Sequence, residues 1–200
     1  RSLSWKRLEG RDIVRFDLDT PLAPRDSTTL FLTYTVELPP NKYTGYGYAP
    51  NGSYYLKDWY LSPAVYDGEW QLYSNKNLED LYTDIADTQI NFIFPDSLYI
   101  GTNYIDMGLS SFPGGQAATL RGENRKNCDI ILNATQPFSK HITPFLFIVT
   151  DIQSVRYPEV LQGISIDRIT RFIHENLGDF PYEQLLVSEI EFNKNPLYGL

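Results

Sequence analysis

The hydrophobic period changes once along this chain, close to Tyr157, and that change limits the folds open to it more than any other feature. Ahead of Tyr157, apolar residues recur at every second position in short runs cut by proline or Asp-Gly, the pattern of half-buried antiparallel strands. The clearest run is TLFLTYTVELPP: Leu30, Leu32, Tyr34, Val36 and Leu38 share one face, Thr33, Thr35 and Glu37 the other, and Pro39-Pro40 closes it. Val14, Phe16 and Leu18 alternate with Arg15 and Asp17, and Ile90, Phe92 and Phe94 alternate within 82–94. Asp67-Gly68 is a hairpin dipeptide that pairs 64–66 with 70–73. A short return strand is expected over 97–103, and further strands over 128–134 and 144–150. The wholly apolar FLFIVT of the last belongs at the centre of a sheet. Residues 108–127, with Pro113-Gly114-Gly115 among them, form a loop or a hairpin extension.

Beyond Tyr157 the spacing turns helical. Ile166, Ile169, Phe172, Ile173 and Leu177 fall on one stripe, the charged residues lie off it, and Gly178 stands where a C-terminal cap belongs. Residues 185–192 return to strand. Fifteen tyrosines, eleven phenylalanines and three tryptophans favour sheet, because aromatic side chains fit pleated, half-buried surfaces. The expected architecture is mainly β: an antiparallel β-sandwich or saddle domain over 1–152, then a short α+β segment of one helix and one strand over 153–200.

Charge and residue usage remove several classes of function. Seventeen basic against twenty-five acidic residues give a net charge of −8 with no basic cluster, so a phosphate backbone is repelled and nucleic acid is not an expected partner. No apolar run approaches the roughly 18 residues of a membrane span. Cys128 is the single cysteine, which leaves no internal disulfide or CxxC zinc site and suits a small, partly buried thiol. His174-Glu175 begins like H-E-x-x-H, but Gly178 occupies the place of the second ligand, so the pair is a helix-end surface feature. Glu189 and Glu191, at i and i+2 on a strand, are either a general acid/base pair or solvated charges on an edge strand. The interleaved aromatics from Tyr43 to Tyr73 supply either a stacking platform or core.

The order of these pieces resembles the zinc metallopeptidases of the aminopeptidase N type, in the gluzincin clan. PLAPRDSTTLFLTYTVELP is similar to the family's strand after a "PL.PG" turn, and WYLSPAVYDGEWQLY to its Trp-Tyr-Pro, Val-Tyr-Asp, Trp segment. LYTDIADTQINFIFPDSLYIGTN resembles the Tyr-x-Asp strand pair, and ITRFIHENLGDFPYEQLLVSEIEF the helix, Pro-Tyr turn and strand with which the catalytic domain opens. The resemblance implies most of a saddle-shaped N-terminal β-domain plus the start of a thermolysin-like catalytic domain that is cut short here.

That resemblance carries further expectations. It implies a non-catalytic portion that shapes a peptide cleft completed by a downstream catalytic-type domain, in a divergent or inactive relative, and a bacterial cell-envelope or periplasmic setting. Zinc is implied only for a full-length parent, since this chain has no H-E-x-x-H and is expected to be inactive alone. Aligning Gly199-Leu200 with the family's Gly-Leu lays Asn193, Lys194, Asn195, Pro196, Leu197 and Tyr198 over the substrate-edge segment. Pro196 then replaces the Glu that captures a peptide's free amine, and proline also removes a backbone donor. The alternative function is a stand-alone β-sandwich module that binds a glycan or protein through its Tyr/Trp-rich loops.

Overall fold

A computed structural model describes residues 3–8, 12–72, 82–153 and 158–190. It is mainly β, with one long helix, α1, and several antiparallel sheets. The chain divides into two compact units, Arg1–Val36 with Tyr60–Ile85, and Glu37–Trp59 with Ala86–Leu200. The boundary expected at 152/153 lies inside the second unit.

In the first unit β1 (Ser4–Arg7) and β2 (Val14–Asp17) pair antiparallel, Trp5 opposite Phe16. Arg15 Nε donates to Asp17 Oδ1 at 2.9 Å on the exposed face that the alternation assigns to both. The next two strands, β3 (Gly47–Tyr48) and β4 (Tyr54–Leu56), belong to the second unit. Returning to the first, β5 (Val65–Asp67) and β6 (Glu69–Gln71) form the hairpin expected at Asp67-Gly68. Gly68 turns it with φ 72°, a left-handed conformation that glycine adopts without penalty.

The run expected to be the clearest strand behaves otherwise. Residues 28–39 join no ladder among the described residues, Phe31 is 92% exposed, and Leu30, Leu32, Tyr34 and Val36 are 40–47% exposed. Alternation specifies two faces but not a partner for the backbone, and strand pairing is a long-range event. The segment is tied instead through a side chain: Tyr34 Oη accepts the Leu61 N–H at 3.2 Å.

Among the described residues the second unit contains three sheets. β7 (Ala86–Phe94), β8 (Tyr99–Thr102), β9 (Ile105–Phe112), β10 (Gly115–Arg125) and β11 (Ile130–Asn133) follow in chain order. β7, β10 and β9 make one antiparallel sheet in that order, so 108–127 is a hairpin turning at Pro113-Gly114. β3, β4, β11 and β8 make the second, and its inner strand β11 is buried along its whole length. The third combines β12 (Ser139–Ile142), β13 (Phe147–Thr150) and β14 (Gln184–Val187), with β13 at the centre as its apolar run requires. β13 and β14 are parallel, Ile148 opposite Leu185, and α1 (Glu159–Leu177) provides the crossover between them.

Gly178 ends α1 at φ 98°, its N–H reaching the His174 carbonyl at 3.3 Å. β14 is shorter than the strand expected over 185–192: Glu189 and Ile190 already have helical backbone. A long-range cap accompanies the change. Asp151 Oδ1 accepts the Glu189 N–H at 2.8 Å, which satisfies a donor that a new helical turn leaves open. Glu189 therefore has no strand face to share with Glu191, which lies outside the described residues.

The buried core of the second unit includes Leu56, Phe94, Tyr104, Leu120, Cys128 and Ile130. Gln184, 2% exposed, fastens the third sheet to the end of β8 by donating from Nε2 to the Thr102 carbonyl at 2.8 Å and the Tyr104 carbonyl at 2.6 Å.

Candidate functional site

Strand periodicity assembles one face of a cavity. Ile131 stands opposite Tyr55 in the β4–β11 ladder, so Tyr55 and Lys57 on one strand and Ile131 and Asp129 on the other face the same way. Asn103 continues the row, accepting the Asp129 N–H on Oδ1 at 3.0 Å. The opposite wall comes from Phe180, Tyr182, Leu185 and Leu186, carried in by the turn after α1 and by β14. Together they border a half-open cavity of about 160 Å³ that Arg125, Asn127 and Ile190 also line.

A β-bulge places Arg125. Along β10 the buried positions are 118, 120 and 122, and a regular strand continues with 124. The register slips between Gly122 and Arg125, Asn124 adopts φ 52° with its N–H held by Asp87 Oδ1 at 2.9 Å, and the next buried position becomes Arg125. The bulge thus moves a cation into the interior. Gly122 contributes by absence: a Cβ there would lie 2.5 Å from the Tyr104 ring, so only glycine lets that ring lie against β10. The Arg125 guanidinium carbon then sits 3.6 Å from the Tyr182 ring centre and 5.7 Å from that of Tyr104. Burial pulls the Arg125 pKa below its usual value, and the same cause, followed by Asp151 and Glu189, pushes the Tyr55 phenol up.

The polar groups nearby are mostly engaged. Lys57 Nζ donates to Tyr46 Oη at 3.2 Å, and Asn127 Nδ2 reaches both Asp129 carboxylate oxygens at 3.3 Å. Asp151, 3% exposed, also takes Asn133 Nδ2 at 3.2 Å.

The residues singled out from sequence are dispersed. His174 lies in the last turn of α1, its Nδ1 2.6 Å from Asp179 Oδ1 and its ring stacked on Phe145 at 4.3 Å. His141 is on β12, far in sequence from any second ligand. Among the described residues no three His, Cys, Asp or Glu side chains group closely enough to hold a metal ion. Asn193, Lys194, Asn195, Pro196, Leu197 and Tyr198 lie outside the described residues. Arg125, Lys57 and Tyr182 did not emerge as a site from sequence, because 57, 125 and 182 are joined only by ladder register and a bulge.

Among the described residues no helix is long and apolar enough to cross a membrane. No protein-family model, curated protein or solved structure matches this chain.

Proposed function

We propose that this chain is a non-catalytic portion of an aminopeptidase N-like metallopeptidase homologue, a β-framework that helps wall a peptide cleft completed by a catalytic-type domain of the same protein. One observation supports this most: α1 buries only Thr170 of its 19 residues, while Ile169, Phe172 and Leu177 on its apolar stripe are 57%, 62% and 80% exposed. An amphipathic helix at a parallel crossover is stable when its stripe is covered. In a thermolysin-like domain, the remaining helices would cover it. The residues described do not fit a zinc site, so the metal of such a protein would be held elsewhere, and Pro196 in place of the amine-binding Glu argues for altered specificity. An extracytoplasmic bacterial setting goes with this reading.

Amide hydrogen exchange on the 200-residue chain and on the longer gene product tests it. Residues 159–177 are expected to gain protection in the longer protein. Equal exchange in both, or a downstream sequence without H-E-x-x-H or any remnant of a thermolysin-like fold, would sink the proposal.

A second function is favoured by a different observation. Tyr66 and Trp70, facing each other across the β5–β6 hairpin, form an edge-to-face pair at 5.1 Å while 63% and 61% exposed. Such a pair offers a surface on which a sugar ring can stack. Glycan binding there would shift Trp70 fluorescence, and an unchanged spectrum across a broad glycan panel removes this alternative.

A further inference from the structure

Arg125 is 7% exposed, yet its guanidinium makes no hydrogen bond or ion pair with the described residues; its contacts are the rings of Tyr182 and Tyr104. Stacked rings accommodate the faces of the group but satisfy none of its five N–H donors. The donors left open in this way have only solvent to meet, and an anion would meet them with charge-assisted hydrogen bonds. The cavity that Arg125 lines is the place from which an anion can do so.

The lining also narrows the choice of anion. Lys57, Arg125 and Asp129 line the cavity and Glu183 acts on Arg125 from close by, so the cations are already partly balanced and the lining suits a monoanion rather than a multiply charged one. The N–H donors of a guanidinium match the planar pair of carboxylate oxygens. Ile131, Leu185, Leu186 and Phe180 make the rest of the wall apolar. A volume of about 160 Å³ is close to that of an apolar cavity known to admit benzene, so the tail it accepts has about five carbon atoms.

We propose that this cavity binds a monocarboxylate with a short branched apolar tail, Arg125 pairing with the carboxylate and Ile131, Leu185 and Leu186 enclosing the tail. The same chemistry is offered by a free short-chain acid and by the carboxyl end of a peptide. The site stands independently of the metallopeptidase proposal.

Calorimetric titration with isovalerate, its neutral isostere isovaleramide, and N-acetyl-leucine tests this. Isovalerate or N-acetyl-leucine is expected to bind and to raise the unfolding temperature, while isovaleramide does neither. Tighter binding of N-acetyl-leucine identifies a peptide end as the source, and tighter binding of isovalerate a free acid. Arg125→Gln is expected to weaken binding by about tenfold or more. Asn127→Asp keeps Arg125 and both tyrosines while setting a second carboxylate beside Asp129, and should also weaken binding; the stability lost with the Asn127 Nδ2 donor to Asp129 is read separately, from the unfolding temperature of the free protein. Equal binding of acid and amide, no binding of either acid, the same response to chloride, or full affinity in Asn127→Asp overturns the proposal.

Discussion

Cys128 is fully buried, and burial, with Asp129 next, pushes its thiol up to about 12. Two outcomes follow. A thiol reagent at neutral pH should react only as fast as the protein opens, and added urea should accelerate the reaction. Because the folded thiol and the folded Tyr55 phenol both hold their protons to higher pH than in the unfolded chain, the unfolded state binds fewer protons above about pH 9. For Cys128 stability should therefore decline from that point toward pH 12, by up to about 1.4 kcal/mol per pH unit, with Tyr55 adding in the same direction above about pH 10, and urea midpoints across that range measure it. Gln184 makes a separate case. Gln184→Met leaves two buried carbonyls, those of Thr102 and Tyr104, without their donor, and should cost about 2 kcal/mol in urea unfolding. Cysteine usage alone pointed to a partly buried thiol, and the structure buries it fully. The glutamine was not legible, because its partners lie some eighty residues away.

At the scale of elements, legibility followed how local the determining interaction is. The Asp67-Gly68 hairpin, the helix ending at Gly178 and the central position of FLFIVT were each written in a few neighbouring residues. TLFLTYTVELPP had the best alternation and still forms no ladder, since nothing local supplies its backbone partner. The β10 bulge was illegible for a related reason: whether inward positions step by two or three depends on Asp87 holding the Asn124 N–H. Asn124→Val should destabilise by about 1–2 kcal/mol, because a β-branched residue resists φ 52°, while Asn124→Gly should be nearly neutral. Chemical denaturation of the pair checks this. On α1, Phe172→Glu should change the isolated chain's stability by no more than about 0.5 kcal/mol, as expected for an exposed site, while weakening any covering domain's hold on the helix.

At the scale of the whole molecule, the expected mainly β class is what the structure has, and the helical stretch after Tyr157 is where the period change placed it. The purified 200-residue chain should show no chelator-sensitive cleavage of aminoacyl reporters; such cleavage would contradict the metal-site reading of His174 and Gly178. The site nevertheless escaped sequence reasoning, as it needs β4, β11, β14, the bulged β10 and the turn after α1 to meet.

The parallel pairing of β13 with β14 also sets an order of events in time. β13 is complete at Thr150, whereas its second neighbour starts at Gln184, after the whole of α1. During synthesis the apolar edge of Phe147–Thr150 therefore waits, unpaired, while more than thirty further residues emerge. Open strand edges of this kind recruit other chains. A chain ending at Gly178 should accordingly form concentration-dependent oligomers on size exclusion where the 200-residue chain does not, and α1 acts as the tether that keeps the correct strand close enough to arrive first.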